Sequence, residues 1–233
     1  MTDQPVEVFP GLGGIQSPPD ERDFTLADLV TATGRELTAA LPTTFLASRL
    51  PAVLNQGTTP MCVAFSHSAL KGWEDRIDQG RFFDFDEPTF FRVIGGGPNG
   101  AIIRNALDRL VKVGYPVVAI GQATAHRIAA YYAIPKTQAA LMQTIHDFGP
   151  IVIGTPWYHS WFRPIGVGGN VKLPPPDYSE GGHAILAVGY NPTGLVLQNS
   201  WGPGWGYHGR VTMPWAYVLH SVWEAWKAVD RRP

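Results

Sequence analysis

The sequence predicts an α+β fold in which a mainly helical half precedes a β-rich half. Three observations carry this expectation. Apolar residues recur near helical spacing in three runs before residue 150, runs of β-rich composition separated by Gly, Pro and Asn fill the last third, and no internal repeat breaks that order. The 233 residues are 45% hydrophobic, 12% aromatic and 16% charged, which suits one globular domain or two tightly joined lobes and carries no signature of disorder.

Residues 1–40 read as an extended lead-in wrapped over a body, because "FPGLGGIQSPPDERDF" is rich in Pro and Gly; "TLADLVTATG" within it reads as a short helix. Residues 41–135 form the expected helical lobe. In it, Val63, Leu70, Trp73 and Ile77 mark a helix over 60–77, and Ile103, Ala106, Leu107 and Leu110 mark a second that Gly114 stops. "TQAALMQTIHDFG" is a third helix, closed by Gly149 and Pro150, and it opens the mainly β lobe of 136–233. There "IVIGTPWY", "HAILAVGY", "LVLQNSW" and "GRVTMPW" read as strands. The aromatics of "WYHSWF" (157–162) are expected on a loop, as an exposed rim or as packing, and Val218, Val222, Trp223 and Trp226 recur near helical spacing as core. A cleft between two such lobes is a common place for a site.

Charge and composition exclude several classes of function. Eighteen basic and nineteen acidic residues give a formal charge of −1, and no Lys/Arg stripe offers a nucleic-acid footprint. Seven histidines show no His-x3-His spacing, and a single cysteine allows no Cys-x2-Cys, so neither a metal site nor a cofactor is expected. No apolar run is long enough to span a membrane, and "MTDQPVEVFPGLGG" has neither the charged nor the apolar region of a signal peptide. The expected location is cytoplasmic by default, or within a larger particle. One cysteine cannot form an internal disulfide, so the fold must stand on its core.

That cysteine, Cys62, opens the functional question. Thr59 has the residue type of an N-cap and Pro60 suits a first helical position, which makes Cys62 the third residue of a helix. The free N–H groups and positive dipole end of a first turn favour a thiolate and so a lowered pKa. The other reading of a free cysteine is a small buried hydrophobe. A thiolate nucleophile needs a base and an orienting group for that base. His67 lies five residues along the same helix, turned away from Cys62, and reads as a surface or packing residue. His183 follows Gly181 and Gly182 and opens an apolar strand, and Asn199 closes the next strand between tryptophan-bearing turns. An imidazole held by Asn199, or a satisfied hairpin histidine beside a turn asparagine, both fit that pattern. Counting residues through a simple "NPTG" loop does not set His183 against Asn199; their contact requires a bulge.

Taken together, these blocks resemble a known family. "NQGTTPMCVAFS" resembles the nucleophile segment of papain-like cysteine peptidases, "GGHAILAVGY" and "LQNSWGPGWG" resemble its histidine and asparagine segments, and "NGAIIRNALDRLVKVG" is similar to the stretch lining its substrate cleft. "PPDERDF" resembles the lead-in of bacterial members. The resemblance implies a two-lobe fold with a helical lobe, a β-barrel-like lobe and a cleft between them. It implies Cys62 as nucleophile, His183 as general base and acid, Asn199 as its orienting partner, and Gln56 as a donor to an oxyanion hole shared with the Cys62 N–H. It places Trp201 over the His–Asn bond, Ala184 beside the site, and a backbone-pairing subsite near Gly100 and Ala101.

The chain departs from the family pattern around the nucleophile. Thr59-Pro60-Met61 stand where a cysteine and small residues are usual, and Val63 replaces an aromatic. Only 61 residues precede Cys62, fewer than a long inhibitory pro-region needs, so the first forty are expected to act as a short clamp or the protein to be made without one. Three activities fit: a peptidase working on peptide or protein substrates, an acyl-transferring amidase or ligase using the same residues, and a papain-like module retained for binding or assembly with partners of its own.

Overall fold

The computed structural model describes residues 9–118 and 126–230, so the first eight residues of the expected lead-in and the last three of the chain lie outside it. From Phe9 the chain is extended through a two-residue strand, β1 (Gly14–Ile15), to the helix α1 (Leu26–Thr33). Thr25 and Asp28 form a reciprocal capping box at the start of α1, and Gly34 ends it in the left-handed conformation. A short strand β2 (Phe45–Leu46) leads to the long helix α2 (Cys62–Gln79), then α3 (Glu87–Val93), β3 (Ala101–Ile102) and α4 (Ile103–Lys112).

Helix α4 matches its sequence stripe: Ile103, Ala106, Leu107 and Leu110 are all fully buried, each large one contributing about 1.5–3 kcal/mol by leaving water. Helix α2 departs from its stripe. Ile77 is 40% exposed, whereas Lys71, Glu74 and Asp75 are buried beside Leu70 and Trp73. The helix is covered nearly all round for its first fourteen residues, so its buried surface is wider than the stripe read from its apolar spacing. The buried charges are paired. Lys71 Nζ reaches Asp75 at 2.5 Å and Asp230 at 2.6 Å, Asp75 also meets His126 at 2.8 Å, and Lys227 pairs with Glu74. These pairs tie α2 to the last strand of the sheet and fix where its N-terminus points. None would be tolerated there singly, because an unpaired buried charge costs several kcal/mol.

The remaining elements are β4 (Ile128–Ala133), α5 (Gln138–Phe148), β5 (Ile151–Tyr158), β6 (Ser179–Tyr190), β7 (Gly194–Gln198), β8 (Arg210–Pro214), α6 (Trp215–Ser221) and β9 (Glu224–Asp230). The strands join antiparallel in the order β4-β9-β5-β6-β7-β8, with β2 added beside β6. Because β4 and β8 remain unpaired with each other, the sheet is open and does not close into a barrel. One face, with Val152, Leu186 and Trp226, packs on Cys62, Val63, Leu70, Leu107 and Leu110 of α2 and α4. The other, with Ile153, Ile185 and Ala225, packs on Leu141 and Ile145 of α5 and on Trp157 and Trp161.

One open sequence reading is decided here, in favour of packing, and one is corrected. The "WYHSWF" aromatics are no exposed rim: Trp157 and Trp161 are fully buried, because β5 runs on through Tyr158 and the chain then turns inward as a single helical turn over His159–Phe162. The helical spacing of Val218, Val222, Trp223 and Trp226 spans a junction, since α6 stops at Ser221 and Trp226 belongs to β9. The burial expected of that stretch holds at Val218, Val222 and Trp226. Among the described residues no helix is long and apolar enough to cross a membrane.

Candidate active site

The start of α2 differs from the expected cap. Thr59 forms a turn, its N–H and hydroxyl both donating to the Gln56 carbonyl, so Met61 occupies the N-cap position and Cys62 is the first helical residue. Pro60 therefore precedes the helix. Cys62 is fully buried, and its sulfur receives the main-chain N–H of Ala184 at 3.5 Å.

His183 stands one residue before Ala184 on β6. Its Nε2 lies 2.9 Å from Asn199 Oδ1, so Nε2 carries the proton and donates. Its Nδ1 is buried without a partner and is the nitrogen left able to accept one. A bulge makes the contact. A simple hairpin through the loop at 191–194 would continue Tyr190↔Leu195 to Leu186↔Asn199. Instead Val188 is skipped between Gly189↔Val196 and Ala187↔Leu197, which leaves Leu186 opposite Gln198. One position further, Asn199 stands opposite Ile185 and on the same face as His183, a diagonal cross-strand neighbour.

Indole rings close around this pair. Trp201 and Trp157 lie 4.9 and 4.8 Å from the imidazole, centroid to centroid. Trp201 was expected there; Trp157 was not, since its position depends on β5 pairing with β6 at Gly181. Gln56 is held by Ser200, whose hydroxyl donates to Gln56 Oε1 at 2.6 Å and whose carbonyl accepts the Gln56 N–H at 2.8 Å. That fixes the side-chain amide so that Nε2 donates outward. Ser200 follows Asn199 directly, and adjacency to the asparagine was the one sequence signal that could have singled it out.

The cleft over these groups is filled by the chain's own N-terminal segment. Gln56 Nε2 donates to the Gly11 carbonyl at 3.0 Å and to Thr59 at 2.7 Å. The Gly13 N–H donates to Gly182 and its carbonyl accepts from Ala101, each at 2.9 Å. Gly14 and Ile15 continue as β1 paired parallel to Ala101 and Ile102 of β3. Ala101 is therefore a backbone-pairing edge, with Gly100 beside it at φ +101°, so close to the segment that a Cβ there would lie 1.8 Å from Gly13 O. Phe9 anchors the outer end against Phe162, centroids 4.5 Å apart. The Gly13 N–H, which donates to Gly182, is also close enough to the sulfur to favour its charged form.

This cover decides the electrostatics. Burial pushes the Cys62 thiol up to about 12, against the pull of the Ala184, Val63 and Gly13 N–H groups. The depressed thiol expected from the helix start is overturned, because the dipole contributes about 0.3–1 kcal/mol and desolvation of a buried ion outweighs it. Burial likewise lowers His183 to about 4, against the Asn199 hydrogen bond. His67, fully buried with Nδ1 2.7 Å from the Val63 carbonyl, is lowered to about 4 by burial as well. It is a packing residue and faces away from Cys62.

Both imidazoles are neutral in the fold and free to protonate near 6.5 when unfolded. Their folded values are depressed, so the stability they confer is complete above about pH 6.5 and is lost as pH falls toward 4. Each contributes a slope approaching about 1.4 kcal/mol per pH unit in that window. The expected result is that urea midpoints drop steeply from pH 7 to 4.5, and that His67→Gln removes about half of this histidine-linked loss. An unchanged slope in His67→Gln would contradict the assignment.

Comparison with known proteins locates this geometry. The family model described as papain family cysteine protease matches residues 118–217, which include His183 and Asn199 but not Cys62. An uncharacterized peptidase C1-like protein of Acanthamoeba polyphaga mimivirus is 38% identical over 73 residues, 30% of this chain and 24% of that protein. Cathepsin 7 of Rattus norvegicus is 30% identical over 96 residues, 38% of this chain and 29% of its own length. The matched region thus spans only about a quarter of the length of these curated relatives. Among solved structures, xylellain, a cysteine protease from Xylella fastidiosa, superposes with TM-score 0.79 at 24% identity, covering 96% of this chain and 97% of that one. A procathepsin B from Trypanosoma congolense gives 0.74 at 15% identity over 95% and 87%. At such identities the likeness is one of fold, and it extends over nearly the whole chain.

Proposed function

We propose that this chain, whose fold is that of the papain-like cysteine peptidases, is itself a cysteine peptidase held in a latent state by its segment 9–17. The observation that carries the reading is the bulged register of β6 and β7. It points His183 Nε2 at Asn199 and leaves Nδ1 unpartnered, one residue from the Ala184 N–H that reaches the Cys62 sulfur.

With the segment displaced, Cys62 Sγ passes its proton to His183 Nδ1 and attacks the substrate carbonyl carbon. The oxyanion takes the place of the Gly11 carbonyl at Gln56 Nε2, beside the Cys62 N–H. Collapse expels the amine, which leaves with the proton from Nδ1 and yields a thioester. Water, deprotonated by the same nitrogen, attacks that thioester, releases the acid and restores the thiol. Asn199 keeps the imidazole in the tautomer that both steps need, and Trp201 and Trp157 keep water from that hydrogen bond.

Latency follows from the same contacts. The segment's hydrogen bonds to Gln56, Gly182 and Ala101 hold it in the cleft, and the buried neutral pair carries no thiolate.

The test is peptide hydrolysis by a chain whose cleft has been opened at Gly13, compared with the same chain bearing Cys62→Ala or His183→Ala. The expected result is loss of turnover in both at unchanged circular dichroism, with a hydroxylamine-labile acyl adduct on Cys62 in the parent. Hydrolysis that survives both substitutions overturns the reading, and transfer of the acyl group to an added amine in preference to water would assign a transferase.

A further inference from the structure

We infer that the sheet face beyond α2 carries a binding site for a small apolar monocarboxylate, whose charged group Arg210 receives. The site lies outside the cleft, and the inference does not depend on the peptidase reading.

On this side of the sheet α2 packs on β9, β5 and β6, and the sheet runs on past the helix through β7 and β8. A cavity of about 280 Å³ opens there. That is close to the lower end of the range for small-molecule sites, about 300–1,000 Å³. Strand register builds its floor. Leu46 on β2 stands opposite Gly189 on β6, Gly189 opposite Val196 on β7, and Val196 opposite Thr212 on β8. Cross-strand partners share a face, so Leu46, Val196 and Thr212 form one line. Arg210, two residues before Thr212 and opposite Gln198, lies on the same face.

A tight turn shapes the end of the cavity. Tyr207 and Arg210 exchange main-chain hydrogen bonds of 2.8 and 3.1 Å across His208 and Gly209. Those two residues have φ of +52° and +77°, and a two-residue hairpin turn requires positive φ at both. The turn sets the Tyr207 ring opposite Arg210, on the same face. Leu46 is 49% and Tyr207 45% exposed, so both present apolar surface to an incoming ligand.

Charge decides what that ligand is. Arg210 is half-buried, and among the described residues it forms no ion pair. Its Nε and Nη2 both donate to Gln198 Oε1, at 3.0 and 2.9 Å. Gln198 is itself held, its Nε2 donating to the Pro51 carbonyl at 3.3 Å. A neutral amide thus aims the guanidinium without cancelling its charge. The end of the fork, with two N–H groups on Nη1 and one on Nη2, keeps no protein partner. Burial holds the group below the ordinary arginine value, with no acid near enough to offset it.

No Asp, Glu or Lys lines the cavity. A carboxylate fits the free fork with two parallel hydrogen bonds. A phosphate would bring a second negative charge that the lining has no second arginine or lysine to meet. A bare inorganic anion would leave Leu46, Val196 and Tyr207 wet, whereas an aryl or alkyl body removes that surface from water. An organic monocarboxylate is what remains.

The test titrates 3-phenylpropionate into the full chain, beside 3-phenylpropanamide and 3-phenylpropylamine as its neutral and cationic counterparts. Amide shifts in isotope-labelled protein report both affinity and location. The carboxylate should bind with Kd on the order of 1 mM or tighter, moving the signals of Val196 and of residues 207–212. The amide and the amine should bind at least about tenfold more weakly. Arg210→Gln should weaken the carboxylate by about 10- to 100-fold and leave the amide unchanged. Val196→Trp, which fills the floor with Arg210 in place, should weaken both. Equal affinities for acid and amide overturn the inference in the parent chain alone, whether or not Arg210→Gln folds. Carboxylate binding that survives Arg210→Gln in a folded chain does the same. So do shifts confined to Cys62 and His183, which would place the ligand in the cleft, and so does the absence of any saturable shift.

Discussion

Iodoacetamide should alkylate Cys62 at least about 100-fold faster at pH 6 in a Gly13→Val chain than in the parent. A Cβ at residue 13 would stand 2.3 Å from the Pro60 carbonyl oxygen and 2.9 Å from the Gly100 Cα, both of them backbone atoms that cannot rotate away. Relieving such overlap inside a packed site costs about 1–3 kcal/mol or more, and a valine is larger than one methyl. The segment is held by a handful of hydrogen bonds, each worth about 0.5–1.5 kcal/mol net, so the segment yields before the cleft walls do. Once it leaves, water reaches the sulfur, while the Ala184 N–H and the helix start remain in place. A thiol at about 12 has roughly one molecule in a million ionised at pH 6, and even an ordinary thiol near 8.5 has roughly three thousand times more. The gain should persist to low pH and collapse with His183→Ala if an imidazolium supports the thiolate. Slow labelling that rises only near pH 8.5 and ignores His183, in a chain whose segment has become protease-sensitive, would instead favour a binding or assembly module.

The sequence made the helical stripe of α4, the helix α5, the four β-rich runs of the last third and the grouping of Cys62, His183, Asn199 and Gln56 legible, since each rests on local pattern or on contiguous motifs. Strand β5 was readable to the residue, Ile151 to Tyr158. What could not be read depends on distant chain. The polar residues of α2 look solvent-facing until β9 brings Asp230 and Lys227 against them. The bulge at Val188 is one unpaired residue in a run that alternates no differently from its neighbours. "FPGLGG" showed an extended lead-in, but only the approach of Gly13 to Pro60 and of Gly100 to Gly13 explains why glycine stands there. The thiol pKa failed for the same reason. The local cue at a helix start was real, but covering by residues fifty positions away outweighs it.

Gln56→Ala should move accessibility and turnover in opposite directions. In the resting chain the Gln56 amide holds the segment, through the bond from Nε2 to Gly11 O, so its loss should speed Cys62 alkylation by up to about tenfold, the worth of one hydrogen bond. In the opened Gly13→Val chain the same nitrogen is free to receive the charge that develops on the substrate oxygen. Removing such a donor costs about 10²–10³ in kcat, and because the interaction strengthens only in the transition state, KM should change little. Ser200→Ala offers a graded control. It leaves Nε2 in place but removes the hydroxyl that fixes Oε1, so kcat should fall by less than in Gln56→Ala. Steady-state kinetics on the opened chains, set beside alkylation rates on the closed ones, reads both effects. A Gln56→Ala chain that keeps its kcat would remove Gln56 from the chemistry and leave it only the task of holding the segment down. One donor serving both states has a further consequence. The carbonyl of Gly11 and the substrate oxyanion compete for the same N–H, so a substrate that develops more negative charge at that oxygen displaces the segment more effectively, and opening and catalysis draw on a single contact.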